Sequence, residues 1–231
     1  MIEDLKEKLR SQPLRIGVST RALFDLEEEH RVFVSDGVYA YAQMQRDRED
    51  AIVQKGAGFE VIERLLKLNE PGMKPYVQVV LLSKNSPDLS LRAFHSIEHY
   101  GLTVNTGSFT SGASLGPFIP VWEIDLFLSN DHADVEAAVN VKAAAARLVP
   151  VSQSWERATD DEVRIAFDGD AVVFSAESDE IYKQHGIEHF ANTNRRMPRN
   201  RCTAVHSANF SRSFQSFARF TCATMASVRC A

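Results

Sequence analysis

Two aspartates one residue apart, Asp168 and Asp170, sit at the end of an apolar run, Val163 to Phe167, and before a second one, Ala171 to Phe174. The first run reads as a buried strand. Side chains at i and i+2 of an extended segment point the same way. A tight turn at Gly169 could instead aim both carboxylates into one pocket at the strand's C-terminal edge, where open α/β sheets hold ligands. Two close carboxylates suit a hard cation such as Mg²⁺, which takes oxygen ligands and shares them with phosphate. They also suit a division of labour, one carboxylate attacking phosphorus and the other moving a proton. The bland alternative is a turn, in which Asp accepts backbone N–H bonds and Gly takes positive φ.

A second candidate is Ser83-Lys84-Asn85, directly after the apolar run Val77 to Leu82. A hydroxyl, a cation and helix N-terminal amides at a strand end could hold a phosphate. A plain strand-to-helix turn is the alternative. The Thr106–Gly116 stretch, rich in Ser, Thr and Gly, could cradle phosphate through backbone N–H groups, but it has no P-loop Lys-Ser/Thr. His95/His99 and His185/His189 are each four apart, a spacing that can bind zinc; no third ligand suggests itself, and ordinary histidines are the better reading.

The pattern around Asp168 and Asp170 resembles the first motif of the haloacid dehalogenase-like phosphohydrolases. The longer wording Phe167 to Phe174, followed by Glu177-Ser178-Asp179-Glu180, looks like the cytosolic type I 5′-nucleotidases. Ser19 to Asp25, Gly37 to Tyr41, Leu82 to Asn85 and Ile97 to Leu102 agree with that narrower family. The resemblance runs from about Leu14 to Asn194. It implies Mg²⁺-dependent hydrolysis of nucleoside 5′-monophosphates. Asp168 would be the nucleophile and Asp170 the acid and base, both would serve the metal, and Ser83, Lys84 and Asn85 would bind substrate. The alternative is a truncated, inactive relative that binds nucleotide or acts as an interaction module.

The elements expected to position these groups form an α/β fold, a Rossmann-like parallel sheet with flanking helices. Strands are expected at Leu14–Val18, Val77–Leu82, Leu102–Val104 and Ile124–Leu128. Helices are expected at Ile2–Arg10, Asp36–Arg48, Gly58–Leu68, Asp88–Tyr100 and the alanine-rich Ala133–Leu148. In the third of these, Phe59, Ile62, Leu65 and Leu66 fall on one face; in the fourth, Leu91, Phe94 and Ile97 point inward. Pro150–Asp161 reads as a linker. An internal repeat at an offset of 149 sets Leu14–Gln43 over Val163–Asn192, with Ser19 and Arg21 in the places of Asp168 and Asp170. The expectation is two related halves, only the second with the aspartate pair and that one incomplete.

At 231 residues, 44% hydrophobic and 25% charged, the chain has an ordinary composition for a packed domain. No apolar run approaches the ~20 residues of a membrane helix, and Met1 to Leu9 lacks a signal-peptide core, so a cytoplasmic setting is expected. The net charge of −5 divides into −12 over residues 1–194 and +7 over 195–231. That tail has seven Arg and no acid, and carries all three cysteines, Cys202, Cys222 and Cys230. Its abrupt onset reads as translation in another frame or a damaged gene end. The other reading is a basic tail contacting nucleic acid, which is not the favoured partner. The favoured one is a nucleoside monophosphate, with homo-oligomerisation left open.

Overall fold

The computed structural model describes residues 2–149. The sheet belongs to the compact unit that starts at Leu9. Its strands are β1 (Leu14–Ser19), β2 (Val77–Ser83), β3 (Gly107–Phe109), β4 (Leu126–Ser129) and β5 (Ala144–Arg147). They lie in the order β3-β2-β1-β4-β5, and every pairing is parallel. Buried parallel strands read as continuous apolar runs because both faces are covered. Accordingly β1 is buried at five of its six positions and β2 at six of seven.

The helices are α1 (Ile2–Ser11), α2 (Thr20–Leu23), α3 (Glu27–Asp47), α4 (Phe59–Leu66), α5 (Asp88–His99), α6 (Phe118–Val121) and α7 (His132–Asn140). Charged pairs Glu3–Lys6 and Asp4–Lys8 lie along α1 at helical spacing. In α4 the expected stripe, Phe59, Ile62, Leu65 and Leu66, is buried. One core cluster packs Val80 and Leu82 of β2 with Phe127 of β4, Leu115, Ile119, Ile124 and Ala138 of α7.

Four expectations need correction. The helix expected at Asp36–Arg48 starts nine residues earlier and is broken at Gly37, whose φ of 83° and ψ of −178° only glycine adopts readily. Tyr41 and Gln45 are buried there, but Val38 is 54% exposed. On α5, Leu91 points outward, and Leu89, Arg92, Ala93, Ser96 and Ile97 point inward. On that face Arg92 bonds Glu29 and Gln45 of α3 and Ser96 accepts the Val53 N–H, polar contacts that apolar periodicity does not register. The third strand is Gly107–Phe109, not Leu102–Val104. A Cβ on Gly107 would meet the Leu81 carbonyl oxygen at 2.7 Å, so glycine lets the two backbones close up. The alanine-rich helix ends at Asn140, and Ala144–Arg147 pairs with β4 as an edge strand. Alanine favours helix locally, yet β4 offers a ladder of backbone partners that overrides the preference.

The second strand of the internal repeat, the linker at 150–161, the aspartate pair and the tail lie outside the described residues. No helix of the described residues is long and apolar enough to cross a membrane.

Candidate functional site

Order β3-β2-β1-β4-β5 means that the chain leaves β1 to one side for β2 and returns to its other side for β4. The connections diverge at the C-terminal ends of β1 and β4, which opens a crevice there. A cavity of about 390 Å³ occupies that position, within the usual range for small-molecule pockets. Three strand ends supply its floor: Ser19 and Thr20 at the end of β1, Ser83 to Ser86 at the end of β2, Asn130 and Asp131 after β4. Leu26, Phe33, Val38 and Tyr41 form an apolar wall, where Phe33 and Tyr41 meet edge to face at 5.9 Å. Burial pushes the Tyr41 phenol up, and the Glu29 carboxylate adds to the shift, so the hydroxyl stays protonated.

Ser83, Lys84 and Asn85 all line this cavity. Ser83 is buried, and its Oγ accepts the Asn85 N–H at 3.1 Å. That leaves the hydroxyl hydrogen free to donate. The loop after β3 folds over the same three residues. The N–H groups of Thr110, Ser111 and Gly112 donate to the carbonyls of Ser83, Asn85 and Lys84 respectively. Those amides are therefore engaged in shaping the site, and the cradle expected from Thr106–Gly116 does not present them to a ligand.

The Lys84 ammonium reaches across the mouth of β1 to Asp134 Oδ1 on α7. A hydrogen-bond chain continues beneath it. Ser129 Oγ lies 3.2 Å from Asp134 Oδ2 and 3.0 Å from Ser19 Oγ. A hydroxyl has one hydrogen, and the ionised acceptor takes it preferentially. Ser129 therefore donates to Asp134 and accepts from Ser19. It also accepts the Asp131 N–H at 3.1 Å, and Ser19 accepts the Ala22 N–H at 3.2 Å. Three strand ends are thus wired to one cation. Lys84 keeps 37% of its side chain exposed, against 7% for Asp134, so its remaining N–H groups can take an anion.

Every carboxylate of the cavity already has a protein partner. Asp134 holds Lys84 and Ser129, Asp131 caps α7 through the N–H groups of Ala133 and Asp134, and Glu29 pairs with Arg92 at 2.7 Å. Among the described residues the one grouping with metal-ligand spacing is Glu49, Asp50 and His95, and none of the three lines the cavity. His99 turns to the ring of Tyr100 instead of joining His95. Asp168, Asp170, His185 and His189 lie outside the described residues.

Sequence reasoning singled out Ser83, Lys84 and Asn85 but passed over Asp134, Thr20 and Asn130, which line the same cavity. A signal for them was present. Each of the three apolar strands around the crevice ends in serine, Ser19, Ser83 and Ser129, and all three are buried. A repeated small hydroxyl at the ends of adjacent buried strands marks a shared polar floor.

Human cytosolic 5′-nucleotidase 1B is 27% identical over 183 residues, which are 77% of this chain and 30% of that protein. The chain therefore spans about a third of the length of the curated relative it matches. No solved structure gives a significant match. A family model described as 5′-nucleotidase matches residues 6–226, a range that passes Asn194 and takes in most of the Arg-rich tail. With that match covering nearly the whole chain, the protein belongs to the 5′-nucleotidase family.

Proposed function

We propose that the chain works as a nucleoside 5′-monophosphate phosphohydrolase in a cytosolic setting, with the cavity at the strand ends as its substrate pocket. The observation that carries this reading is the Lys84 ammonium, half-open beside Ser83 at the sheet's switch point, in a member of the 5′-nucleotidase family. A phosphate dianion would meet a fixed cation and a free hydroxyl hydrogen, and charge-assisted hydrogen bonds of this kind are the strong ones. The apolar wall of Leu26, Phe33 and Val38 suits the flat face of a base.

The chemistry is assigned to Asp168 and Asp170 on the motif they form. The Asp168 carboxylate attacks phosphorus in line and forms an acyl phosphate. The P–O bond to the nucleoside breaks, and Asp170 donates its proton to the leaving 5′-oxygen. Asp170 then takes a proton from water as that water attacks the acyl phosphate, releasing orthophosphate and restoring Asp168. An ion would rest on Asp168 and Asp170, whose hard oxygens suit Mg²⁺. When bound there, Mg²⁺ would screen the repulsion between anionic nucleophile and anionic substrate.

The test is phosphate release from nucleoside 5′-monophosphates with and without Mg²⁺, using Asp168→Asn as control. Release is expected to require Mg²⁺ and to fall by at least about a thousandfold in the variant, the scale of losing a nucleophile. Undiminished release from Asp168→Asn would remove the role given to that residue. Tight nucleotide binding without release would favour a binding relative that does not turn over.

A further inference from the structure

The middle of α3 departs from the pattern of a packed helix, which buries an apolar residue every few positions. From His30 to Ala40 no residue is buried, while Glu29 before this stretch and Tyr41 after it are. The stretch is apolar all the same: Phe33 and Val38 are half exposed, Val34 is 70% exposed and Tyr39 88%. Among the described residues its side-chain hydrogen bonds run only along the helix, from Arg31 to the Glu27 carbonyl and from Ser35 to the Arg31 carbonyl. Beyond its two ends, Arg92 of α5 grips Glu29 and Gln45. Near its centre stands Gly37 with its φ of 83°. A Cβ there would meet nothing within 4 Å, so the backbone angle and not a shortage of space calls for glycine.

His30, Phe33 and Val38 of this stretch line the cavity, whereas Val34 and Tyr39 do not. A helical segment this short, without tertiary packing, is marginal in water, and a region with few buried contacts opens at little cost. Its exposed apolar side chains gain when apolar ligand surface covers them. A glycine at a helix break can absorb the backbone change of a hinge. We propose that His30 to Ala40 is an arm, hinged at Gly37 and anchored by Arg92, that folds over a nucleotide in the cavity. Phe33 and Val38 close onto the base, and the Phe33–Tyr41 ring contact, which spans the hinge, rearranges as they do. The phosphate, taken by Lys84 on the opposite strand ends, does not need the arm. This inference rests on the cavity being the substrate pocket.

The experiment follows amide hydrogen exchange of the full 231-residue chain, free, with adenosine 5′-monophosphate and with orthophosphate, a chelator being present to prevent turnover. Amides of Val32 to Ala40 should exchange quickly in the free chain and at least about fivefold more slowly with the nucleotide bound. Val34 and Tyr39 lie off the cavity, so slowing at their amides reports movement of the arm and not contact with the ligand. Orthophosphate should leave the arm as it is in the free chain. Gly37→Ala, which favours a continuous helix, should weaken nucleotide binding about fivefold or more and leave orthophosphate binding unchanged. Nucleotide bound with no slowing in the arm, and phosphate release intact, would overturn the inference and spare the nucleotidase reading. Arm amides as slow in the free chain as those of β1 would overturn it too, as would parental nucleotide affinity in Gly37→Ala. The parent's exchange decides the matter even where that variant fails to fold. Absence of nucleotide binding would remove both readings.

Discussion

Glu29 and Asp134 are both buried, both line the cavity, and both hold a cation, yet the two pairs are built for different ends. Glu29 meets Arg92, and each side chain is about 5% exposed. Two nitrogens of the Arg92 fork are engaged: one bonds Glu29 at 2.7 Å and Gln45 at 3.2 Å, and Nε donates to the Ala51 carbonyl at 2.9 Å. Glu29 and Gln45 lie on opposite sides of the Gly37 break in α3, so Arg92 of α5 fastens both segments of that helix. Asp134 meets a lysine instead, a compact charge on a flexible stem that can rearrange its donors. Its cation remains more than a third exposed. A closed guanidinium clamp holds architecture, and an open ammonium is available to a ligand.

The sharpest way to break this comparison is to remove one member of each pair. Arg92→Met should cost about 3–5 kcal/mol of unfolding free energy, because it strands the Glu29 carboxylate in the interior. Denaturant titration checks this, and the double change with Glu29→Leu should recover much of the loss. Lys84→Met should act mainly on binding. Loss of a charged hydrogen bond predicts KM for a nucleoside monophosphate about tenfold higher or more. Stability should fall less than in Arg92→Met, since Asp134 keeps the Ser129 hydroxyl. If Lys84→Met unfolds the chain as readily as Arg92→Met does, the two pairs are not different in kind.

Asp134→Asn sharpens the contrast from the other side. It keeps an acceptor for Ser129 and removes a carboxylate that competes with an incoming anion for Lys84. Orthophosphate should inhibit at about two- to fivefold lower concentration, and stability should fall by about 1 kcal/mol or less, since the lysine is solvent-screened. The smallest effect is expected at Asp88, at the start of α5. Hydrogen bonds from Ser86 and Arg46 hold its carboxyl below the ordinary value of 3.8. A depressed folded-state value means the contribution is full above about pH 4 and is lost as pH falls through the depressed value. Asp88→Asn should therefore melt slightly lower at neutral pH, by no more than about half a kcal/mol at so exposed a site, and the difference should close in acid.

Much of the scaffold was legible before any coordinates. β1, β2 and α4 were read nearly to their ends, because buried strands and amphipathic helices write their burial directly into apolar spacing. Placement of Ser83, Lys84 and Asn85 at a strand terminus followed from that spacing, and the expectation of a cavity there from the parallel-sheet rule. The edge of the sheet was not legible. Three residues at Gly107–Phe109 and four at Ala144–Arg147 become strands through a neighbour's backbone, which no local pattern records.

The amino-acid order alone determined the class of fold, the central strands and the three hydroxyls at their ends, since each depends on neighbours a few positions away. The three-dimensional fold alone decided that Lys84 meets Asp134 and that Ser19 meets Ser129. These partners are 50 to 110 positions apart in the chain. They become neighbours only because β4 inserts beside β1 on the side away from β2, and that choice belongs to the packing of the whole sheet.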